Sequence, residues 1–165
     1  MPDPALYLRL GCPDDAPAIS ALARRVARRW ILPDQSHEAG QALLARLGTR
    51  SLRERMRDGQ RFHLAWLDDV LVGIAGMRDD CHLVQFFVGT RYQGRGIASR
   101  LWRRAMADAV RRAGTRRFTL NATRVAVPVY EHFGFVATDA ERPSPNGILS
   151  TPMVLEAPAG IIHRP

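Results

Sequence analysis

The sequence contains no lysine: all 24 basic residues of its 165 are arginine, and the formal net charge is +8. That absence removes the lysine of a nucleotide P-loop, the strand lysine of a protein kinase and any lysine Schiff base. Cysteine is scarce. Cys12 and Cys81 have neither metal-ligand spacing nor the density of a secreted disulfide scaffold, so no metal site is expected and both are read as small buried or half-buried residues. Long hydrophobic runs are missing too. No stretch approaches the ~20 apolar residues of a membrane helix, and the N-terminus lacks a basic and apolar signal pattern. The expectation is a cytoplasmic protein with no membrane partner.

The arginine excess has two readings. Arginines coat solvated helix faces, or they attract something anionic. Nucleic acid is not the expected partner, because no helix-turn-helix, zinc or aromatic RNA-binding signature accompanies the charge. One stretch gives the anionic reading a place. In Val84-Gln-Phe-Phe-Val-Gly-Thr-Arg-Tyr-Gln-Gly-Arg-Gly-Ile-Ala98 an apolar strand enters a glycine-broken turn that opens onto a helix. Gly94 and Gly96 can take positive φ, and they have no Cβ to keep a ligand away. The first N–H groups of the helix starting at Ile97 have no internal partner and sit at the positive end of its dipole, as a phosphate requires. A dinucleotide fingerprint would need a third glycine where Ser99 stands.

Two blocks carry a family resemblance. Gln93-Gly-Arg-Gly96-Ile-Ala98 fits the pattern Gln/Arg-x-x-Gly-x-Gly/Ala, after a strand and before a helix, and resembles the cofactor motif of the GCN5-related N-acetyltransferase (GNAT) family. Downstream, Leu120-Asn-Ala-Thr-Arg-Val-Ala-Val-Pro-Val-Tyr130-Glu-His-Phe-Gly-Phe135 is similar to the second signature of that family: a strand end, a short tyrosine-bearing helix and a closing Gly-Phe. The resemblance extends from Tyr7 to Leu155, although only these blocks are specific.

Pattern along the chain agrees with one α/β (α+β) domain over residues 1–165, with 156–165 as a C-terminal tail. Leu6 to Leu10 reads as a strand, and Ile19, Leu22, Ala23, Val26 and Trp30 recur at helical spacing. A second helix from Glu38 stops at Gly48, and Ser51 to Glu54 has capping-box spacing. Apolar runs at 62–67, 70–77 and 82–88 follow, turning at Asp68-Asp69 and at Arg78 to Asp80. The long helix after the glycine turn has an apolar stripe from Ala98 to Ala109, with Arg100, Arg103, Arg104, Asp108, Arg111 and Arg112 marking a solvated side. Arg117 to Leu120 is a strand reached through that helix, hence parallel to 82–88. A short helix near 125–133, a strand from Phe135 and a last strand near 148–155 complete the chain. Pro152 in the last run implies a bulge, an edge position or a strand starting only at Met153. The resemblance implies a mixed, mostly antiparallel sheet of six to seven strands, flanked by about four helices, with a central parallel pair splayed at the cofactor site.

The resemblance also assigns roles. It implies direct transfer of an acetyl group from acetyl-CoA to an amine of a small molecule or peptide, with a non-catalytic acyl-CoA-binding module as the alternative. Cofactor contacts fall on Phe86, Phe87 and Val88, on Arg91, Gln93, Gly94, Arg95, Gly96, Ile97 and Ala98, and on Asn121, which could equally cap the helix behind it. Tyr130 is the candidate acid for the departing thiolate, since a phenol with a pKa of about 10 donates a proton without being ionised at neutral pH; it could also simply pack under the sheet. Many relatives place a carboxylate base where this chain has Val84, which leaves His82 as the nearest titratable group on that strand. A water chain to solvent is the other solution. Trp30 and Asp34 are candidate acceptor-side residues, although Trp30 also fits the apolar helix stripe. A homodimer is left open.

Overall fold

The structure, a computed structural model, describes residues 5–157. Its frame is an eight-stranded sheet. The strands are β1 (Leu6–Leu10), β2 (Arg61–Leu67), β3 (Val70–Arg78), β4 (His82–Val88), β5 (Arg117–Ala122), β6 (Val136–Ala137), β7 (Arg142–Pro143) and β8 (Leu149–Glu156). They lie in the order β1-β2-β3-β4-β5-β8-β6, with β7 also paired to β8. Every pairing is antiparallel except β4 with β5. The β2–β3 turn works without the expected glycine because Asp68 takes φ +49, and Asp79 and Asp80 do the same in the next turn at +54 and +52. Short polar aspartate side chains tolerate the left-handed region better than most residues.

Five α-helices cover the two faces, one more than expected. α1 (Ala16–Trp30), α2 (His37–Arg46) and α3 (Thr49–Arg57) lie on one side, where Ile19, Leu22, Leu47 and Leu52 pack on Phe62, Leu64, Ile74 and Phe87. α4 (Ile97–Ala113) and α5 (Val127–His132) lie on the other, over a core centred on Trp102. The Trp102 ring sits 5.3 Å from Phe118, edge to face, and 5.2 Å from Phe135, tilted, pairs each worth about 0.5–1.5 kcal/mol beyond their buried area. No described helix is long and apolar enough to cross a membrane.

Two irregularities in β4 position the site. The β3–β4 register pairs Met77 with Leu83 and Gly76 with Gln85, so Val84 is an extra residue in a bulge. Gln85 is consequently buried against Gly76, where a Cβ would collide with it, and accepts a hydrogen bond from Gln60 Nε2 at 2.5 Å. On its other edge β4 pairs with β5 only at His82–Thr119 and Leu83–Leu120. Beyond the bulge the two strands part, and a wedge opens between them.

Several local expectations are corrected. The third helix begins at Thr49 with Gly48 as its N-cap, so Ser51 lies inside the first turn and Glu54 pairs with Arg50 at 3.1 Å instead of closing a capping box. Pro152 stands within β8, opposite Asn121. Its carbonyl accepts from the N–H of Thr138, so its nitrogen faces the side where β6 ends and β7 has yet to begin, and no ladder bond is lost. Cys12 is exposed, because the turn it precedes lies outside the sheet, whereas Cys81 is half-buried. Glu156 belongs to β8 and pairs with Arg117, not to a tail; the rest of the expected tail, 158–165, lies outside the described residues. Asp108, read as solvated, is buried at 5% exposure because three basic side chains close over it.

Candidate active site

The wedge between β4 and β5 is the floor of a cavity of about 940 Å³. At one end stands the glycine turn. Gly94 and Gly96 take φ +78 and +79, and a Cβ on either would meet nothing within 4 Å, so open space lies above the backbone. Gly96 is the N-cap of α4 without any side-chain cap, which leaves the first N–H groups of a 17-residue helix unpartnered. Gln93, Ile97, Ala98 and Ser99 line the same end, and Gln93 Nε2 donates to the Val88 carbonyl at 3.1 Å, bracing the turn on the strand. Arg91 and Arg95 are exposed and lie outside the lining; the Arg95 guanidinium rests over the Tyr92 ring at 5.5 Å.

The middle of the cavity brings together the residues singled out on β4, β5 and α5. Phe86, Phe87 and Val88 contribute backbone that has no strand partner on the β5 side. Asn121 lines the opposite wall, exposed at the end of β5, and makes no side-chain hydrogen bond to the helix behind it among the described residues. Tyr130 is buried against Phe86, with ring centroids 5.9 Å apart, yet it lines the cavity. Its hydroxyl makes no side-chain hydrogen bond among the described residues, and burial pushes the phenol above its ordinary value of 10. The group is therefore a fully protonated donor.

His82 closes the far side of the wedge. Its Nδ1 lies 2.7 Å from Thr119 Oγ1, and burial followed by the charge of Arg78 lowers its pKa below 6.5. It is neutral at pH 7, as a proton acceptor must be. Val84 lines the cavity beside it, so the missing carboxylate falls within the bulge itself. Trp30 also reaches the lining; its Nε1–H donates to Thr90 Oγ1 at 3.1 Å, and Arg29 stacks on the ring at 4.2 Å. Asp34 is exposed and lies outside the lining, with its charge acting on Arg124.

Three arginines of the lining are among the residues that escaped the sequence reading. Arg46 at the end of α2, Arg55 in α3 and Arg78 at the end of β3 face the cavity from the His82 side, whereas no described aspartate or glutamate lines it. Nothing local marks them, because an arginine on a cavity-facing helix surface has the same sequence spacing as one in water.

Residues 31–157 match the family model described as an acetyltransferase (GNAT) domain. No curated protein is matched. Among solved structures the chain is similar to a GCN5-related N-acetyltransferase from Rhodopseudomonas palustris, with a TM-score of 0.77 and 24% identity over 94% of this chain and 98% of that one. It is also similar to the PaiA N-acetyltransferase of Thermoplasma acidophilum in complex with coenzyme A, with a TM-score of 0.76 and 16% identity over 92% and 99% of the two chains. A third likeness, at a TM-score of 0.63 and 19% identity over 94% and 99%, is to YncA of Salmonella typhimurium with its cofactor acetyl-CoA. With a family match over most of its length and the splayed parallel pair of that fold, the chain belongs to the GNAT acetyltransferase family.

Proposed function

We propose that the protein is an acetyl-CoA-dependent N-acetyltransferase that moves an acetyl group to an amine of a small molecule or peptide by direct attack in a ternary complex. The observation that carries this reading is the wedge between β4 and β5, with an open glycine cradle at one end and a protonated tyrosine on its wall. The cofactor, when bound, supplies an activated acetyl thioester. The space over Gly94 and Gly96, with the free N–H groups at the start of α4, fits a pyrophosphate, while Gln93, Ile97 and Ala98 shape its walls. Arg91 and Arg95 stand at its rim as counter-charges. Backbone of Phe86 and Phe87, without a strand partner on the β5 side, would hold the amide-bearing pantetheine arm together with Val88, and Asn121 would contact it from the other wall. Tyr130 would direct its protonated hydroxyl at the sulfur as the carbon–sulfur bond breaks, stabilising the leaving group. His82 takes the proton that the amine loses as its nitrogen bonds to the acetyl carbon. Trp30 belongs to the acceptor side of the same cavity.

A panel of amines scored by release of the CoA thiol tests this reading; at least one acceptor is expected to release CoA in proportion to N-acetylated product. Thermal stabilisation by acetyl-CoA with no amine-dependent release would instead identify a binding module without transfer, the reading that Val84 and the carboxylate-free lining favour.

The base role of His82 has its own signature. In the wild type, kcat/KM should fall as pH drops through the lowered pKa of His82, somewhat below 6.5, because the protonated ring cannot accept the amine proton. His82→Ala should lower kcat/KM by about tenfold to a hundredfold and remove that acidic limb. A variant that keeps the wild-type limb would show that another group or water carries the proton.

A further inference from the structure

Arg46, Arg55 and Arg78 are left unused by the transfer chemistry; Arg78 lies far from the glycine turn, Arg55 is close enough to Arg78 to feel its charge, and Arg46 close enough to feel that of Arg55. Arg78 is paired with His82 at the start of β4, whereas the glycine turn follows Val88 at its end. Six residue steps at ~3.3 Å put about 20 Å of strand between them. Arg78, with the two arginines linked to it, therefore borders the part of the cavity on the His82 side of the bulge, away from the glycine turn.

Their electrostatics are unusual for surface arginines. Arg46 and Arg55 are half-buried and form no ion pair among the described residues, and Arg78 approaches only the exposed Asp79, at 3.7 Å. Burial and like charge act together: burial lowers the pKa of both, Arg55 lowers Arg46 further, and Arg78 lowers Arg55. Guanidinium groups stay charged under such pressure, so the cluster holds mutual repulsion that an incoming anion would relieve. No described carboxylate in the lining competes for them, and Val26, Leu43, Leu47 and Phe87 around them are apolar.

We infer that the acceptor is an amine carrying its own anionic group, a carboxylate or a phosphoryl group, on an apolar frame, with that group held by Arg46, Arg55 and Arg78 and the amine directed toward His82. The inference rests on the transferase reading for the word acceptor, while the anion site stands apart from it. The planar guanidinium fork matches a carboxylate or phosphoryl oxygen pair. Polycationic amines are correspondingly poor acceptors, because the lining offers them only arginine and histidine as charged neighbours.

Matched pairs test it: leucine against 3-methylbutylamine, phenylalanine against 2-phenylethylamine, and the aminophosphonate analogue of leucine to separate carboxylate from phosphoryl recognition, with putrescine as the cationic control. The acid-bearing member of a pair is expected to have kcat/KM about tenfold higher or more, the effect of a charge-assisted hydrogen bond. Arg55→Gln should bring that ratio close to one, mainly by raising KM for the acid, while the Kd for acetyl-CoA stays unchanged. A plain amine equal to or better than its acid, or an unchanged ratio in Arg55→Gln, overturns the proposal. Should Arg55→Gln fail to fold, Arg78→Gln at an exposed position takes its place under the same criterion. Titrating the CoA-saturated protein with N-acetyl-leucine and N-(3-methylbutyl)acetamide reads the site without turnover. Tenfold preference for the acid, lost in the variant, upholds the anion site even if no amine releases CoA, in which case only the transferase reading falls; equal binding sinks the anion site whether or not transfer occurs.

Discussion

Tyr130→Phe is expected to lower kcat by about a hundredfold with little change in stability or in acetyl-CoA affinity. The substitution removes one oxygen and leaves the ring, whose contacts with Phe86, Phe133 and Phe135 lie at centroid distances of 5.9, 6.4 and 6.0 Å. No side-chain hydrogen bond among the described residues involves that oxygen, so no partner is orphaned when it goes. The stability change should accordingly remain within about 0.5 kcal/mol. Its kinetic value is different. Burial holds the phenol protonated throughout the neutral range, so its O–H stays available as a donor to a sulfur that leaves as an anion, and phenylalanine has no such donor. Single-turnover rates and thermal melts on the same preparation check both halves. Turnover within twofold of wild type on an intact fold would remove the general-acid role and leave Tyr130 as packing alone.

Asp108→Ala should cost about 3–5 kcal/mol of folding stability, the range seen when one member of a buried charge pair is deleted. Asp108 sits on α4 with a side chain 7% exposed, accepting from Arg61 Nε at 2.7 Å and from Arg111 at 3.0 Å. Burial by itself would raise its carboxyl, yet the hydrogen bonds and charge of Arg61 hold it below 3.8. Without it, Arg61 is left partly buried and uncompensated. Urea melts of the variant at pH 7 measure the loss, and a change below about 1 kcal/mol would mean that water re-solvates the cluster.

The same cluster sets an acid limit. His63 is 2% exposed, its Nε2 lies 3.4 Å from Asp108 without forming a hydrogen bond, and burial drives its pKa from 6.5 to about 4. An unfolded chain therefore binds this proton near pH 6.5 and the folded one only near 4, so stability is complete above 6.5 and declines as pH falls to 4. The decline should total roughly 3 kcal/mol. Below that, Asp15, held at about 2 by its hydrogen bond to Arg9, adds a further loss as it protonates. Equal unfolding midpoints at pH 7 and pH 4.5 would show that His63 charges without penalty.

The glycine turn and the tyrosine-bearing helix were legible in the residues because their conformational demands are local. Positive φ at Gly94 and Gly96, the helix start at Ile97 and the short tyrosine-bearing helix before Gly134-Phe135 are conditions on a few neighbouring residues. The His82 end of the cavity was not legible. Val84 could be recognised as the wrong residue for a base, but not as a bulge, since a bulge exists only relative to the register of β3. Asp108 had the spacing of a solvated position and became buried because Arg61 and His63 of β2 meet it across the helix–sheet contact.

By itself the sequence determined the order of most helices and strands, the glycine cradle, the tyrosine and the family, because apolar periodicity and backbone conformation are properties of adjacent residues. Tertiary structure alone decided how far β4 and β5 stay paired, where Pro152 could do without a donor, and which arginines meet. Arg46, Arg55 and Arg78 come from two helices and a strand. Only the packing of those elements brings three ordinary charges to one cavity, because charge density depends on distance in space and not along the chain.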